Sequence, residues 1–284
     1  MAEVPSSYPP PRHLLRDLRI VVERDAEGAT ASLEIVPEML DGTGRPRVGV
    51  LATLVDLVAG ETAIRAVAPS WIATSDLSVS VAALPRSGSI EVRPRVIRRG
   101  RQTVVLEAIF RERRARAEIG LATLGFAVLP ARGEVQTSPR WRETPEPRSE
   151  LALPDSGLRK ALLDAIGLEL DPTRPGVARL AVRPDLLNSL GAVQGGAIAI
   201  LAEAAADHLA TLGLGLPVRV RSLALHYLKL ARVGPVRAEA RAIARTLGGV
   251  LVRVELFDEG GGDELLTVAT VQVDAGDSDG ADTP

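Results

Sequence analysis

The sequence predicts an α+β protein built from two copies of one unit, each a long apolar helix followed by antiparallel strands. The chain has 284 residues, which is enough for two ordinary domains. Both helical stretches are apolar nearly all the way round, which predicts that they are buried. One helix followed by several strands rich in valine and threonine is the pattern of an α+β fold.

The two copies are visible as an internal repeat. An offset of 147 residues places Gly49 on Gly196 and Asp56 on Glu203, within a match that runs without a gap from 33 to 63 in the first copy. Beyond the helix the match continues with a one-residue shift, as in Gly88 and Gly234. The repeat predicts two domains with the same order of elements.

The repeat also predicts the domain boundaries. The N-terminal unit covers 14–130 and the C-terminal unit covers 156–274. The stretch between them, 131–155, is rich in proline and charge and predicts a linker. The last residues, 275–284, are small and acidic and predict a flexible tail. In each unit we expect one strand before a glycine-containing loop, a helix of about 16 residues after it, and four more strands. The predicted strands are 30–36, 77–83, 89–98, 103–110 and 119–128, then 177–182, 223–229, 236–244, 250–257 and 265–273.

The composition excludes several classes of function. The net charge of −2 gives no sign of a nucleic-acid surface. The absence of cysteine excludes disulfides, thiolate metal sites and a cysteine nucleophile. The three histidines show no metal-ligand spacing, and no cofactor motif is present. No signal peptide or membrane-spanning run is visible, so we expect a cytoplasmic protein without metal or cofactor.

Each helix carries one carboxylate on a stripe of small residues. Asp56 shares a stripe with Ala52, Ala59 and Ala63, and Glu203 occupies the matching position in the second helix. Burying a carboxylate costs free energy, so each acid needs a reason. One reason is structural, because an acid can pair with arginine or accept backbone hydrogen bonds. The other is catalytic, and the repeated position behind a glycine-rich helix start favours it.

The glycine pair Gly195-Gly196 precedes the second of these acids. Free N–H groups at a helix N-terminus favour negative charge, and a carbonyl oxygen that becomes an oxyanion is such a charge. The alternative is that the two glycines only permit a tight turn or close packing.

A longer pattern around this pair resembles a known family. The segment Asn188-(x)2-Gly191-(x)2-Gln194-Gly195-Gly196-(x)4-Leu201-x-Glu203 is similar to the signature of hotdog-fold thioesterases of the phenylacetate-pathway (PaaI-like) type. The resemblance implies a hotdog fold, in which a curved antiparallel sheet wraps one long central helix. It extends to both units, so it implies two hotdog folds in one chain, paired as a pseudo-dimer. It further implies hydrolysis of an acyl-CoA thioester between the two units.

The resemblance assigns one complete site. Asp56 from the first helix would act as base or nucleophile, and Thr74 would hold the attacking water. The second unit would supply Asn188 to orient the reacting groups, and Gly195 to polarise the carbonyl. Gln194 and Gly196 complete the set, and Gln194 departs from the family because histidine is usual there.

The matching site around Glu203 is predicted to be degenerate. The first unit's loop offers Asp41 in place of asparagine, Arg47 in place of histidine and Val48 in place of glycine. Arg221 stands at the spacing of the hydroxyl residue. We expect Glu203 or Asp41 to pair with Arg47.

Three functions follow in order of preference. The first is an acyl-CoA thioesterase. The second is an acyl-CoA-binding or regulatory protein without catalysis, which the glutamine at 194 keeps open. The third is a hotdog hydratase or dehydratase, which needs a histidine beside the acid. Run 93–101 contains five arginines that are solvated or contact coenzyme A phosphates. The expected partner is the acyl-CoA substrate, with neither nucleic acid nor membrane. The sequence leaves a homodimer or higher assembly open.

Overall fold

The computed structural model describes residues 8–26, 28–130, 146–246 and 248–276. Within them lie four α-helices, α1 (Leu14–Asp17), α2 (Val48–Val67), α3 (Leu162–Ile166) and α4 (Gly195–Leu214). The two long helices are the predicted ones. Each has 20 residues rather than about 16.

The described residues form thirteen strands. The first seven are β1 (Val21–Asp25), β2 (Gly28–Glu34), β3 (Trp71–Val81), β4 (Ser89–Arg99), β5 (Thr103–Glu112), β6 (Ala117–Leu129) and β7 (Arg148–Glu150). The other six are β8 (Leu168–Leu170), β9 (Val177–Leu180), β10 (Val218–Tyr227), β11 (Val236–Thr246), β12 (Gly249–Asp258) and β13 (Glu264–Ala275). All ten predicted strands are present, with ends that either coincide or differ by up to six residues.

The thirteen strands form one sheet in the order β7-β1-β2-β4-β5-β6-β3-β10-β13-β12-β11-β9-β8. The two halves join where β3 pairs antiparallel with β10, with Leu77 opposite Leu225. Read outward from this junction, the order β6-β5-β4-β2-β1 on one side corresponds to β13-β12-β11-β9-β8 on the other. The sheet therefore has an approximate twofold relation centred between β3 and β10.

The repeat is preserved in detail. The two long helices begin at Val48 and Gly195, and two 3₁₀ turns, Pro37–Met39 and Pro184–Leu186, precede them at the same offset. The one-residue shift beyond the helices is also present. Strand β4 has a bulge at Ile97 and β11 has one at Ile243, so these equivalent positions are 146 rather than 147 residues apart. The internal match therefore reflects two structurally equivalent halves.

The two long helices cross near their N-termini, and glycine is required there. A Cβ at Gly49 would lie 2.8 Å from Ile200 Cα, and one at Gly196 would lie 2.6 Å from Thr53 Cα. Most residues in the first half of each helix are buried. This close approach places the N-terminus of each helix beside the middle of the other, where the two acids lie.

The short edge elements carry too little periodicity to be predicted from the sequence. Strands β1 and β8 and helices α1 and α3 are of this kind. Strand β7 falls inside the predicted linker, and it pairs with β1. Residues 131–145 of that linker, and 277–284 of the predicted tail, lie outside the described residues.

One described helix, α4, is long and apolar enough to cross a membrane by length and composition alone. Most of its apolar window is buried inside the protein. Glu203 and Asp207 interrupt the apolar stretch, so the sequence shows no continuous run of that length.

We predict that Gly49→Ala lowers the free energy of unfolding by about 1–3 kcal/mol, because the new Cβ forces apart two helix backbones. The matched control is Gly60→Ala, also in α2, where a Cβ would meet nothing within 4 Å. That control should stabilise the helix by about 0.5–1 kcal/mol. Chemical denaturation of both variants measures the difference. Equal effects would contradict the packing described for the crossing.

Candidate active site

Asp56 is held by a hydroxyl from the neighbouring strand. The Thr74 Oγ1 donates a hydrogen bond of 2.8 Å to Asp56 Oδ1. Strand β3 has a bulge at Ser75, where its pairing with β6 shifts between Thr74 and Asp76. Bulges re-aim side chains next to functional sites. The predicted pair of Asp56 and Thr74 is therefore brought together.

The N-terminus of α4 faces the second oxygen of the same carboxylate. A Cβ at Gly195 would lie 2.8 Å from Asp56 Oδ2, so a larger residue would displace the acid. Among the described residues, the backbone N–H groups of Gly195 and Gly196 have no hydrogen-bond acceptor. Such groups at a helix start attract negative charge. Asp56 thus lies next to the start of α4 but forms no hydrogen bond with the N–H groups of Gly195 and Gly196.

Burial raises the pKa of Asp56 to about 6, and the hydrogen bond from Thr74 acts against this rise. A carboxylate with this pKa is ionised at neutral pH and is a stronger base than an ordinary aspartate. Perturbed carboxylates of this kind concentrate at functional sites.

Tyr227 is a member of the site that the sequence analysis missed. Its hydroxyl donates a hydrogen bond of 2.9 Å to the Gly195 carbonyl oxygen. The same hydroxyl lies 3.4 Å from the position that a Cβ of residue 195 would occupy. Burial, together with the Asp56 charge, raises the pKa of Tyr227 well above its ordinary value. The pKa of Tyr8 is raised by the same two causes. The chain has only two tyrosines, and the charge of Asp56 contributes to the raised pKa of both.

Gln194 is the residue that precedes α4, and its side chain is 4% exposed. The Oε1 atom has no hydrogen-bond partner among the described residues. A buried polar atom without a partner costs free energy, so the group is available for a ligand. Its position beside Gly195 agrees with the predicted set.

Asn188 shapes the loop before α4. Its Oδ1 accepts hydrogen bonds from the N–H groups of Leu190 at 2.9 Å and Ala192 at 3.2 Å. Asp41 performs the same task in the first half, where its Oδ1 accepts from Thr43 and Arg45. Asn188 and Asp41 therefore have the same structural role, because the Oδ1 atom of each accepts hydrogen bonds from the N–H groups of its own loop.

The N-terminal segment reaches the same loop through His13. The ring Nε2 lies 2.9 Å from the Leu187 carbonyl oxygen, and Nδ1 accepts from the Leu15 N–H. Burial lowers the pKa of His13, which fits a neutral ring with one donor and one acceptor. The ring of Tyr8 packs edge-on against it at 5.2 Å between centroids.

Glu203 occupies the corresponding position in the second half, and its carboxylate binds the N–H groups at the start of the facing helix. Its Oε1 accepts from the Val48 N–H and its Oε2 from the Gly49 N–H, both at 2.8 Å. Burial raises the pKa of Glu203 to about 7, with Arg47 and the two amides acting in the opposite direction. Glu203 is 2% exposed. This acid is a cap on the N-terminus of α2, which is one of the structural roles expected for it.

Two predictions about this second site are wrong. Arg47 forms its ion pair with Asp207 at 2.9 Å, because Glu203 is already occupied by two amides and Asp41 by its own loop. Arg221 is not the counterpart of Thr74, since β10 has its bulge at Arg221 as β3 has at Ser75. The counterpart is the buried Val220, which has no hydroxyl, and Arg221 turns to Asp274.

The arginines of run 93–101 lie apart from this cluster. Arg93 pairs with Asp25 and Arg95 with Glu107. Arg98, Arg99 and Arg101 have no ion pair within the described ranges. Those ranges contain no group of three His, Asp or Glu side chains that could hold a metal.

The fold is shared with solved structures over nearly their whole length. A protein with a hot dog fold from Alicyclobacillus acidocaldarius is 14% identical with a TM-score of 0.57, and the alignment covers 93% of this chain and 98% of that one. For the tesB protein of Mycobacterium avium subs paratuberculosis the identity is 12%, the TM-score 0.62 and the coverages 89% and 95%. For an acyl-ACP thioesterase from Bacteroides thetaiotaomicron they are 16%, 0.56, 86% and 97%. The chain has a hotdog fold.

The sequence itself points to the same class. Residues 190–265, which begin in the loop before α4, match the thioesterase superfamily. No curated protein sequence matches the chain significantly. The matched residues all lie in the second half of the chain.

We predict that Glu203→Gln lowers the free energy of unfolding by about 1–3 kcal/mol, because a carboxamide offers only one acceptor to two buried N–H groups. Thermal and chemical unfolding at pH 8 measure the change. The control is Glu118→Gln in β6, whose exposed side chain pairs with Arg111 on the surface and contributes about 0–1 kcal/mol. A Glu203→Gln variant as stable as the natural protein would contradict the capping role.

Proposed function

We propose that the protein is a thioesterase that hydrolyses an acyl-CoA, or a related acyl thioester, between two hotdog units of one chain. The observation that carries the proposal is the position of Asp56. This carboxylate is bound by Thr74 and faces the free N–H groups of Gly195 and Gly196. A base and an oxyanion site are the two parts that acyl transfer requires.

The proposed chemistry follows from these positions. Asp56 Oδ2 takes a proton from water, which attacks the thioester carbonyl carbon. The N–H groups at the start of α4 hold the oxyanion that develops, and Tyr227 fixes the Gly195 peptide. The carbon–sulfur bond then breaks, and the thiolate takes up the proton. Direct attack by Asp56, with a mixed anhydride that water cleaves, uses the same groups.

The arrangement of the chain is part of the proposal. Helix α2 supplies the acid and the second half supplies the donors, so the site needs both units. The equal order of elements on the two sides of the β3–β10 junction supports a tandem duplication of the PaaI-like kind. We further propose that the protein acts in the cytoplasm without metal or cofactor. The expected assembly is this pseudo-dimer or a pair of such chains.

The rival functions differ in what they need beside Asp56. A hydratase needs a histidine there, and the ring of His13 is bonded to Leu187 instead. A protein that only binds acyl-CoA needs no base, and the unpartnered Gln194 suits it as well as an enzyme. Activity of the Asp56 variant separates these two readings.

We predict that Asp56→Asn lowers the rate of thiol release from acyl-CoA by about 10²–10⁴-fold, the usual contribution of a general base. The fold should not suffer, because asparagine keeps an oxygen for the Thr74 hydroxyl, the one side-chain hydrogen bond that Asp56 accepts among the described residues. The control is Glu203→Gln, which we expect to stay within a few-fold of the natural rate. An active Asp56→Asn variant would leave the binding protein as the better account.

The pH dependence tests the same group. We expect kcat/KM to rise with pH through a single ionisation at about pH 6 and to stay level above it, because only the ionised Asp56 accepts a proton. Glu203, with its pKa at about 7, is the group most easily confused with it. The profile of Glu203→Gln should therefore keep the same midpoint. A midpoint that moves in this variant would assign the base to Glu203.

A further inference from the structure

One stripe of α2 differs in character from its counterpart in α4. Asp56, Gly60 and Ile64 follow one another at intervals of four residues and lie on one face of the helix. All three are partly exposed. The matching stripe of α4 contains Glu203, Asp207 and Thr211. The first stripe is apolar beyond its acid, and the second is polar throughout.

The second stripe is sealed by its own side chains. Arg47 forms an ion pair of 2.9 Å with Asp207, and the Thr211 hydroxyl donates a hydrogen bond of 3.0 Å to the same carboxylate. Together with the cap formed by Glu203, these bonds join the start of α2 to the middle of α4.

The first half has no counterpart of this ion pair. Gly60 takes the place of Asp207, and a Cβ there would meet nothing within 4 Å. Gln194 takes the place of Arg47, and its Oε1 has no partner among the described residues. Neither side chain of the sealing ion pair is present, and the acid is one methylene shorter.

We infer that the stripe of Asp56, Gly60 and Ile64 forms one wall of a groove that holds the acyl chain of the substrate. Gly60 then determines which chains fit this groove. The inference rests on the proposed function, because the thioester carbonyl must lie at Asp56 for its chain to follow this groove. An aliphatic chain suits the apolar lining better than the polar pantetheine arm does. Eight residues of helix span about 12 Å, the length of an extended chain of about ten carbon atoms.

The test is the chain-length profile of hydrolysis. Butyryl-CoA, decanoyl-CoA and palmitoyl-CoA are compared for the natural protein, Gly60→Ala and Gly60→Leu. Gly60→Leu should lower kcat/KM for decanoyl-CoA at least about tenfold relative to butyryl-CoA, and Gly60→Ala should lower it less. The matched control is Thr211→Ile, which places the α2 residue on the sealed stripe and should leave the profile unchanged. Melting temperatures show that the variants are folded.

Binding of decanoate, measured by calorimetry, separates the groove from the catalysis. If the natural protein hydrolyses no thioester but binds decanoate, and Gly60→Leu weakens that binding, the proposed function fails and the groove stands. If hydrolysis occurs and Gly60→Leu lowers the rates for all three chain lengths equally, the groove is overturned and the thioesterase stands. Unchanged decanoate binding in Gly60→Leu would also overturn the groove.

Discussion

The structure depends on the contact between a helix N-terminus and a carboxylate from the facing helix. The glycines at the crossing, Gly49 and Gly196, let α2 and α4 approach so closely that each start lies beside the other's acid. At one end of this crossing the contact is satisfied, since Glu203 accepts both amides of α2. At the other end Asp56 is turned to Thr74, and the amides of α4 have no acceptor among the described residues.

This asymmetry gives the two halves different tasks. The half-site around Glu203 contributes stability, because a buried acid bonded to two N–H groups and close to Arg47 fixes the start of α2. The half-site around Asp56 lacks these bonds. Its acid accepts from Thr74 rather than from the amides of α4, and Gln194 keeps a buried oxygen without a partner among the described residues. Unsatisfied groups of this kind are typical of sites that complete their bonds with a substrate.

The sequence predicted the elements well because its internal repeat presents the same apolar helix and the same run of strands twice. It also identified Asp56, Thr74 and Gly195 as neighbours, since a family signature carried them. It did not identify Tyr227, which comes from a strand of the other half with no local signal. Nor could it show that Val220, rather than Arg221, corresponds to Thr74, because the one-residue shift begins between the end of the long helix and this strand, and spacing alone does not reveal where. The cap formed by Glu203 depends on the distance between two helices, which one sequence does not contain.

The central claim is that one methylene group separates the structural acid from the catalytic one. Asp56→Glu tests it most directly, by measuring thiol release from acyl-CoA and the melting temperature of the same preparation. A glutamate at 56 should reach the N–H groups of Gly195 and Gly196 as Glu203 reaches those of Val48 and Gly49. We therefore predict that hydrolysis is lost while the melting temperature rises. A variant that hydrolyses acyl-CoA at the natural rate, with an unchanged melting temperature, would contradict the account.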